Sequence, residues 1–155
     1  MDWKRLLSRK RLRRLPAKPS GLSICPFEED QDRICFSQPF RRLQAKTQVH
    51  PLAENDHVRT RLIHSIEVSC IGQVLGSLVG AELSSRTDFP ATQADLASLV
   101  KAACLAHDIG HPPFGHAGEE AVRGWISKRA KRDSALAAKL SPTEPDDLMQ
   151  YEGNA

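Results

Sequence analysis

Residues 106–120 read AHDIGHPPFGHAGEE, and this stretch is the most informative about the fold. It holds three histidines and three carboxylates, separated by glycines and prolines, which is not the composition of a solvated charged surface. His107 and Asp108 place an imidazole nitrogen and a carboxylate oxygen next to each other. Mg, Mn, Fe, Co, Ni and Zn ions accept mixed nitrogen and oxygen donors of this kind. The stretch therefore predicts a metal site.

A second histidine upstream supports this prediction, because one His-Asp pair is common by chance. His64 lies in an apolar pattern of helical spacing, which predicts a helix over residues 56–83 with Asp56 as its N-cap. A lone histidine on such a helix is more often an ordinary core residue, but together with the His-Asp pair it is typical of a metal ligand. The apolar residues that recur at helical spacing are Leu62, Ile63, Ile66, Ile71, Val74, Leu75, Leu78 and Val79.

The helix that precedes the His-Asp pair has a clear start signal. Thr92 and Asp95 resemble a capping box, although aspartate replaces the usual glutamate. The apolar residues that follow predict a helix with His107 on its inner stripe. Gly110 and the two prolines at 112–113 then predict a rigid turn.

A further helix is expected to begin near His116. His116 and Glu119 would then lie one turn apart on the same face, where their side chains can form a hydrogen bond. Residues 127–140 are predicted to form an exposed basic helix or a variable insertion, and residues 141–149 a loop rich in proline and aspartate.

Composition favours an all-α protein, since aromatic residues are few and long β-branched runs are absent. No stretch approaches the roughly 18 apolar residues of a membrane span, and no signal-peptide core follows the basic N-terminus. The four cysteines are widely spaced, which predicts reduced thiols. We therefore expect a cytoplasmic protein without a membrane partner. The basic residues 1–20 are interpreted as a solvated arm with a short helix, or as a surface for polyphosphate or single-stranded nucleic acid.

Several ordered motifs carry a family resemblance. The chain resembles the HD superfamily of metal-dependent phosphohydrolases, and within it the N-terminal part of the deoxyguanosinetriphosphate triphosphohydrolase (dGTPase) family. The resemblance implies an all-α HD-domain helical bundle, incomplete at its C-terminus, with residues 1–39 as an arm and lead-in and residues 40–155 as the N-terminal part of the HD domain. The matching stretches are WKRLL (3–7), FRRLQAKTQV (40–49), VRTRLIHS (58–65), residues 106–119 and YEGNA (151–155).

The resemblance also implies a role for each candidate site residue. The implied metal ligands are His64, His107 and Asp108, the implied substrate-binding residues are Gln48, Arg61 and His111, and the implied catalytic residues are His116 and Glu119. Other readings remain open for some of them. Gln48 can be an ordinary surface residue, Arg61 can pair with a neighbouring carboxylate, and His111 can hydrogen-bond a metal ligand instead of facing substrate. His116 can be a helix cap.

The implied activity is hydrolysis of dGTP or other dNTPs to a deoxynucleoside and tripolyphosphate. It needs a divalent cation, with Mg²⁺ or Mn²⁺ favoured and Co²⁺, Fe²⁺, Ni²⁺ or Zn²⁺ compatible. The family's fourth ligand, a later aspartate, has no good match here, so we expect an N-terminal fragment with impaired catalysis, whose complete protein forms a homo-oligomer. The alternatives are another HD-type nucleotidase or phosphodiesterase, and a non-catalytic module that binds nucleotides or nucleic acid.

Overall fold

A computed structural model describes residues 3–11, 25–47, 59–86, 89–132, 141 and 144–153. Within these residues the regular elements are helices, and one isolated antiparallel bridge joins Thr47 to Thr60. The all-α prediction is therefore confirmed. The helices are α1 (Trp3–Leu6), α2 (Pro26–Cys35), α3 (Gln38–Arg41), α4 (Arg61–Ser84), α5 (Gln93–Ala106), α6 (His116–Arg132) and α7 (Glu144–Met149), with a 3₁₀ turn at Arg42–Ala45.

The chain divides into two compact units. The first comprises residues 1–41 and 64–106, and the second comprises residues 42–63 and 107–155. In the first unit α2 packs along α5, where Gln31 Nε2 donates to the Ser98 carbonyl at 3.0 Å. Phe27, Ala97 and Ala102 are buried there.

The start of α5 confirms the predicted capping box. The Thr92 backbone N–H donates to Asp95 Oδ2 at 3.0 Å, and the Asp95 N–H donates back to Thr92 Oγ1 at 3.1 Å. Asp95 also binds Arg9, at 3.2 Å, and accepts from the Cys25 thiol. Arg9, from the basic N-terminal stretch, thus forms an ion pair within the first unit. Arg11 does the same with Asp30.

Helix α4 packs against α5 through glycine, and not through its large apolar residues. A β-carbon at Gly76 would lie 2.9 Å from Ala97 Cα, and one at Gly80 would lie 2.9 Å from Gln93 Cα, so the two backbones touch. Side chains on the other faces are 42–64% exposed: Ile63, Ile66, Ile71, Val74, Leu75, Leu78 and Val79. The apolar spacing predicted the helix but not its buried face, because spacing alone does not reveal which face of an all-round apolar helix makes the contact.

The same helix corrects the prediction about membrane spans. Among the described residues, α4 is long and apolar enough to cross a membrane by length and composition. Core helices of soluble proteins pass the same test, so this property is weak evidence about location.

Two boundaries in the second unit also differ from prediction. Helix α4 begins at Arg61 and not at residue 56: Thr60 is its N-cap, with Oγ1 accepting from the Ile63 N–H at 3.3 Å. Asp56 lies outside the described residues. The predicted loop at 141–149 contains α7, whose first turn holds three acidic residues that suit a helix N-terminus. The predicted start of α6 at His116 is confirmed, and α6 packs against α7.

Candidate active site

A turn of nine residues, 107–115, joins α5 to α6 and carries most of the predicted site. Gly110 and Gly115 adopt positive φ values of 96° and 57°, which glycine permits without steric cost. Phe114 also lies in the left-handed region, at φ 67°, although it has a β-carbon and is 75% exposed. A non-glycine residue in this region costs roughly 1 kcal/mol or more, and such strain is held by the surrounding structure.

Asp108 is the buried carboxylate of this turn, with 2% of the residue exposed. Its Oδ1 accepts a hydrogen bond from Arg61 Nη1 at 2.9 Å in a buried ion pair. Its Oδ2 is buried and has no hydrogen-bond partner in the described part of the chain, while His107 Nε2 lies 3.7 Å away. A buried anionic oxygen without a donor is costly, and a bound cation would satisfy it.

The predicted third ligand lies on α4. His64 is three residues after Arg61, hence on the same face of that helix. His107 and the buried Asp108 offer an imidazole nitrogen and a carboxylate oxygen in the second unit, and ligation by His64, which belongs to the first unit, stays a prediction. Two imidazole nitrogens and one carboxylate oxygen can hold a divalent metal ion.

His116 and Glu119 form a hydrogen-bonded pair at the start of α6. Glu119 is 1% exposed, whereas the His116 side chain is 84% exposed. Glu119 Oε2 lies 2.9 Å from His116 Nδ1. An ionised carboxylate can only accept, so Nδ1 carries the proton and Nε2 is directed away from Glu119. The buried carboxylate therefore fixes the tautomer of an exposed imidazole.

The other oxygen of Glu119 is bound from a distant part of the chain. The Gly153 backbone N–H donates to Oε1 at 2.8 Å, and His111 Nε2 lies 3.5 Å from the same oxygen. The Gly153 hydrogen bond, followed by that of His116, lowers the pKa of Glu119 below its ordinary value. Glu119 is thus held as a carboxylate.

Comparison with protein families shows to which family the chain belongs. The model of the HD domain family matches residues 61–148, more than half of the chain. The chain belongs to the HD domain family. The match begins at the first residue of α4 and includes each described candidate site residue.

Curated relatives extend the similarity to the whole chain. A "Deoxyguanosinetriphosphate triphosphohydrolase-like protein" of Pseudomonas aeruginosa (strain LESB58) is 47% identical over 155 residues, which are 100% of this chain and 34% of that protein. One of the same name from Synechocystis sp. is 48% identical over 156 residues, covering 100% of this chain and 36% of the relative. The "Deoxyguanosinetriphosphate triphosphohydrolase" of Klebsiella pneumoniae (strain 342) is 42% identical over 134 residues, covering 82% and 27%. The chain spans about a third of the length of these relatives.

Six of the eight predicted site residues lie in the second unit: Arg61, His107, Asp108, His111, His116 and Glu119. Arg61 forms an ion pair with the Asp108 carboxylate, which was one of the two alternatives for this residue. Its binding of phosphate stays a prediction. His111 is 2% exposed, and its Nε2 faces Glu119, so the structure places it beside the His116–Glu119 pair. Gln48 lies outside the described residues.

Three further residues contact the candidate site and were not singled out in the sequence. Lys46 Nζ donates to the His111 carbonyl at 2.5 Å, Tyr151 Oη donates to the Gly110 carbonyl at 2.9 Å, and Gly153 binds Glu119. Tyr151 and Gly153 belong to the YEGNA motif, which carried the family resemblance but suggested no contact. No sequence signal indicates the contact between Gly153 and Glu119, because the two residues are 34 positions apart and only the fold brings them together.

Proposed function

We propose that the protein containing this chain is a metal-dependent hydrolase of deoxynucleoside triphosphates, which releases a deoxynucleoside and tripolyphosphate. The observation that carries the metal dependence is the buried Asp108 oxygen without a hydrogen-bond donor among the described residues, beside His107. The names of the relatives support the substrate class. Location in the cytoplasm and assembly into a homo-oligomer belong to the same proposal.

In this proposal His64, His107 and Asp108 hold the cation, with Mg²⁺ or Mn²⁺ favoured. When bound, the cation supplies positive charge next to the phosphates and lowers the pKa of coordinated water. Three protein ligands leave coordination positions for water, for substrate and for a further ligand. The Arg61 guanidinium, held by Asp108 and 3.3 Å from the position of a β-carbon on Gly115, adds a second positive charge at the turn. It would offset phosphate charge.

The reaction needs one proton delivered to the leaving group. Water adds to the α-phosphorus and loses a proton, the bond between that phosphorus and O5′ breaks, and O5′ gains a proton. The exposed His116, with Nδ1 bound to Glu119, would present Nε2 to O5′ and donate that proton as an imidazolium. The Glu119 carboxylate stabilises the imidazolium before transfer and keeps the ring oriented afterwards. Gln48 is proposed to contact the deoxyribose through its amide.

Product analysis tests the proposal. We would incubate the 155-residue chain, and the complete protein that contains it, with dGTP and Mn²⁺ or Mg²⁺. Deoxyguanosine with tripolyphosphate is the expected product pair, and His107→Ala and His64→Ala should abolish its formation. The exposed Glu120, next to the pair on α6, offers a control, since Glu120→Ala should leave turnover unchanged.

Other products would identify the alternatives. A deoxynucleoside monophosphate or diphosphate would contradict the proposal and favour another HD-type nucleotidase. Salt-sensitive binding of single-stranded DNA without hydrolysis by the complete protein would favour a binding module. The described arginines Arg9 and Arg11 already pair with carboxylates, which weakens the case for the latter.

A further inference from the structure

Residues 151–153 contact the candidate active site at several points. The Gly153 N–H donates to Glu119 Oε1 at 2.8 Å, and Tyr151 Oη donates to the Gly110 carbonyl at 2.9 Å. Arg123 Nη1, from the middle of α6, donates to the Tyr151 carbonyl at 2.8 Å. One short segment is thus bonded to the 107–115 turn, to α6 and to the carboxylate that orients His116.

The approach of Gly153 leaves no room for a side chain. A β-carbon there would lie 2.7 Å from His111 Cα and 3.0 Å from Pro112 Cδ, and the residue is buried. Contacts shorter than 3.0 Å to backbone atoms require the backbone to move. Glycine at this position is therefore what allows the amide to reach Glu119.

The two oxygens of Glu119 are divided between two donors. The terminal torsion of a glutamate is soft, so a carboxylate held at one oxygen can rotate its other oxygen away from its partner. With the Gly153 amide on Oε1, Oε2 stays directed at His116 Nδ1. Without that amide, the one contact left to Oε1 within the described residues would be His111 Nε2, at 3.5 Å.

We propose that the segment Tyr151–Gly153 positions the His116–Glu119 pair, with the Gly153 amide fixing the carboxylate and the Tyr151 hydroxyl fixing the turn. The catalytic consequence rests on the proposed function, but the positioning itself does not. Both residues act through others: neither needs to touch substrate. Among the residues that the structure describes, the titratable groups that face Glu119 are His111 from the turn and His116 from its own helix.

The first test follows the ionisation of Glu119 in the 155-residue chain, with no turnover required. Carbon-13 NMR of its carboxyl carbon, assigned with Glu119→Gln, gives the pKa directly. Because the Gly153 hydrogen bond is the main cause of the lowered pKa, Gly153→Ala should raise that pKa toward the ordinary value. Gly124→Ala is the matched control, since a β-carbon at Gly124 meets no atom within 4 Å, and it should leave the pKa unchanged.

The second test uses the catalytically complete protein. Displacement of the pair by about 1 Å should lower kcat by roughly 100-fold in Gly153→Ala, with KM changed by less than about twofold. Tyr151→Phe, which removes only a hydroxyl, should lower kcat by about tenfold, and it covers the case in which Gly153→Ala does not fold.

The two tests separate failure of this inference from failure of the proposed function. An unchanged Glu119 pKa in folded Gly153→Ala would overturn the positioning role, as would an unchanged kcat in Tyr151→Phe where Gly153→Ala does not fold. A raised pKa in a protein that releases no tripolyphosphate would support the positioning role and contradict the proposed function.

Discussion

Replacement of Gly76 by alanine tests the close approach of α4 to α5. An alanine β-carbon would lie 2.9 Å from Ala97 Cα, 3.1 Å from the Leu96 carbonyl oxygen and 3.2 Å from Val100 Cβ. Carbon atoms in favourable contact are about 3.5–4.0 Å apart, so the helices would have to separate by roughly 0.5–1 Å. Two of the three atoms belong to the backbone of α5, and side-chain rotation cannot relieve those contacts.

Two opposing effects set the magnitude. Alanine is favoured over glycine inside a helix by about 1 kcal/mol, whereas overpacking of a close contact costs about 1–3 kcal/mol. At Gly124, where a β-carbon meets no atom within 4 Å, only the first effect applies. Gly76→Ala should therefore be about 1–3 kcal/mol less stable than Gly124→Ala.

Thermal unfolding monitored by circular dichroism measures this difference. For a protein of this size 1 kcal/mol corresponds to about 2–4 °C in Tm, so Gly124→Ala should melt about 2–12 °C above Gly76→Ala. Equal melting temperatures, or a higher one for Gly76→Ala, would show that α4 does not approach α5 as closely as described.

Four further expectations concern the site and a cap. Arg61→Ala should cost about 3–5 kcal/mol in urea unfolding, because it leaves the buried Asp108 carboxylate unpaired, and a loss below 1 kcal/mol would contradict the buried ion pair. Mn²⁺ at 100 times its Kd should stabilise the chain by about 2.7 kcal/mol, and Asp108→Asn should remove most of this effect. The folded-state pKa of Glu119 is lowered, so its contribution to stability is complete above its unfolded pKa of about 4.3 and is lost as pH falls through the folded value. The stability of Glu119→Gln, measured by acid unfolding, should not show this loss as pH falls. Thr92→Ala should cost about 1 kcal/mol and lower Tm by about 2–4 °C.

Local sequence signals predicted the local structure well. The start of α6 at His116, the capping box at Thr92 and the spacing of His116 and Glu119 depend on neighbours within one helical turn, and all three are present. The prediction of a loop at 141–149 was wrong for a related reason. Acidic residues are common in loops and also in the first turn of a helix, so composition alone did not separate the two.

Contacts between distant residues were beyond the sequence. The exposed apolar side chains of α4 and its buried glycines depend on which helix packs where, and hydrophobic spacing carries no such information. The Gly153 amide is similarly invisible in a sequence, because every residue except proline carries one and only the fold directs it to Glu119.

The left-handed Phe114 bears on the order in which the molecule folds. Its backbone at φ 67° is unfavourable for an aromatic residue. Its side chain is 75% exposed, so burial of the ring offsets little of this cost. A segment whose local preference conflicts with its native conformation does not nucleate folding. We therefore expect the 107–115 turn to acquire its shape late, after α6 has formed, and to open again at a lower free energy than that helix. Hydrogen exchange would then find the amides of the turn among the first to exchange in the second unit, although they lie beside its most buried carboxylates.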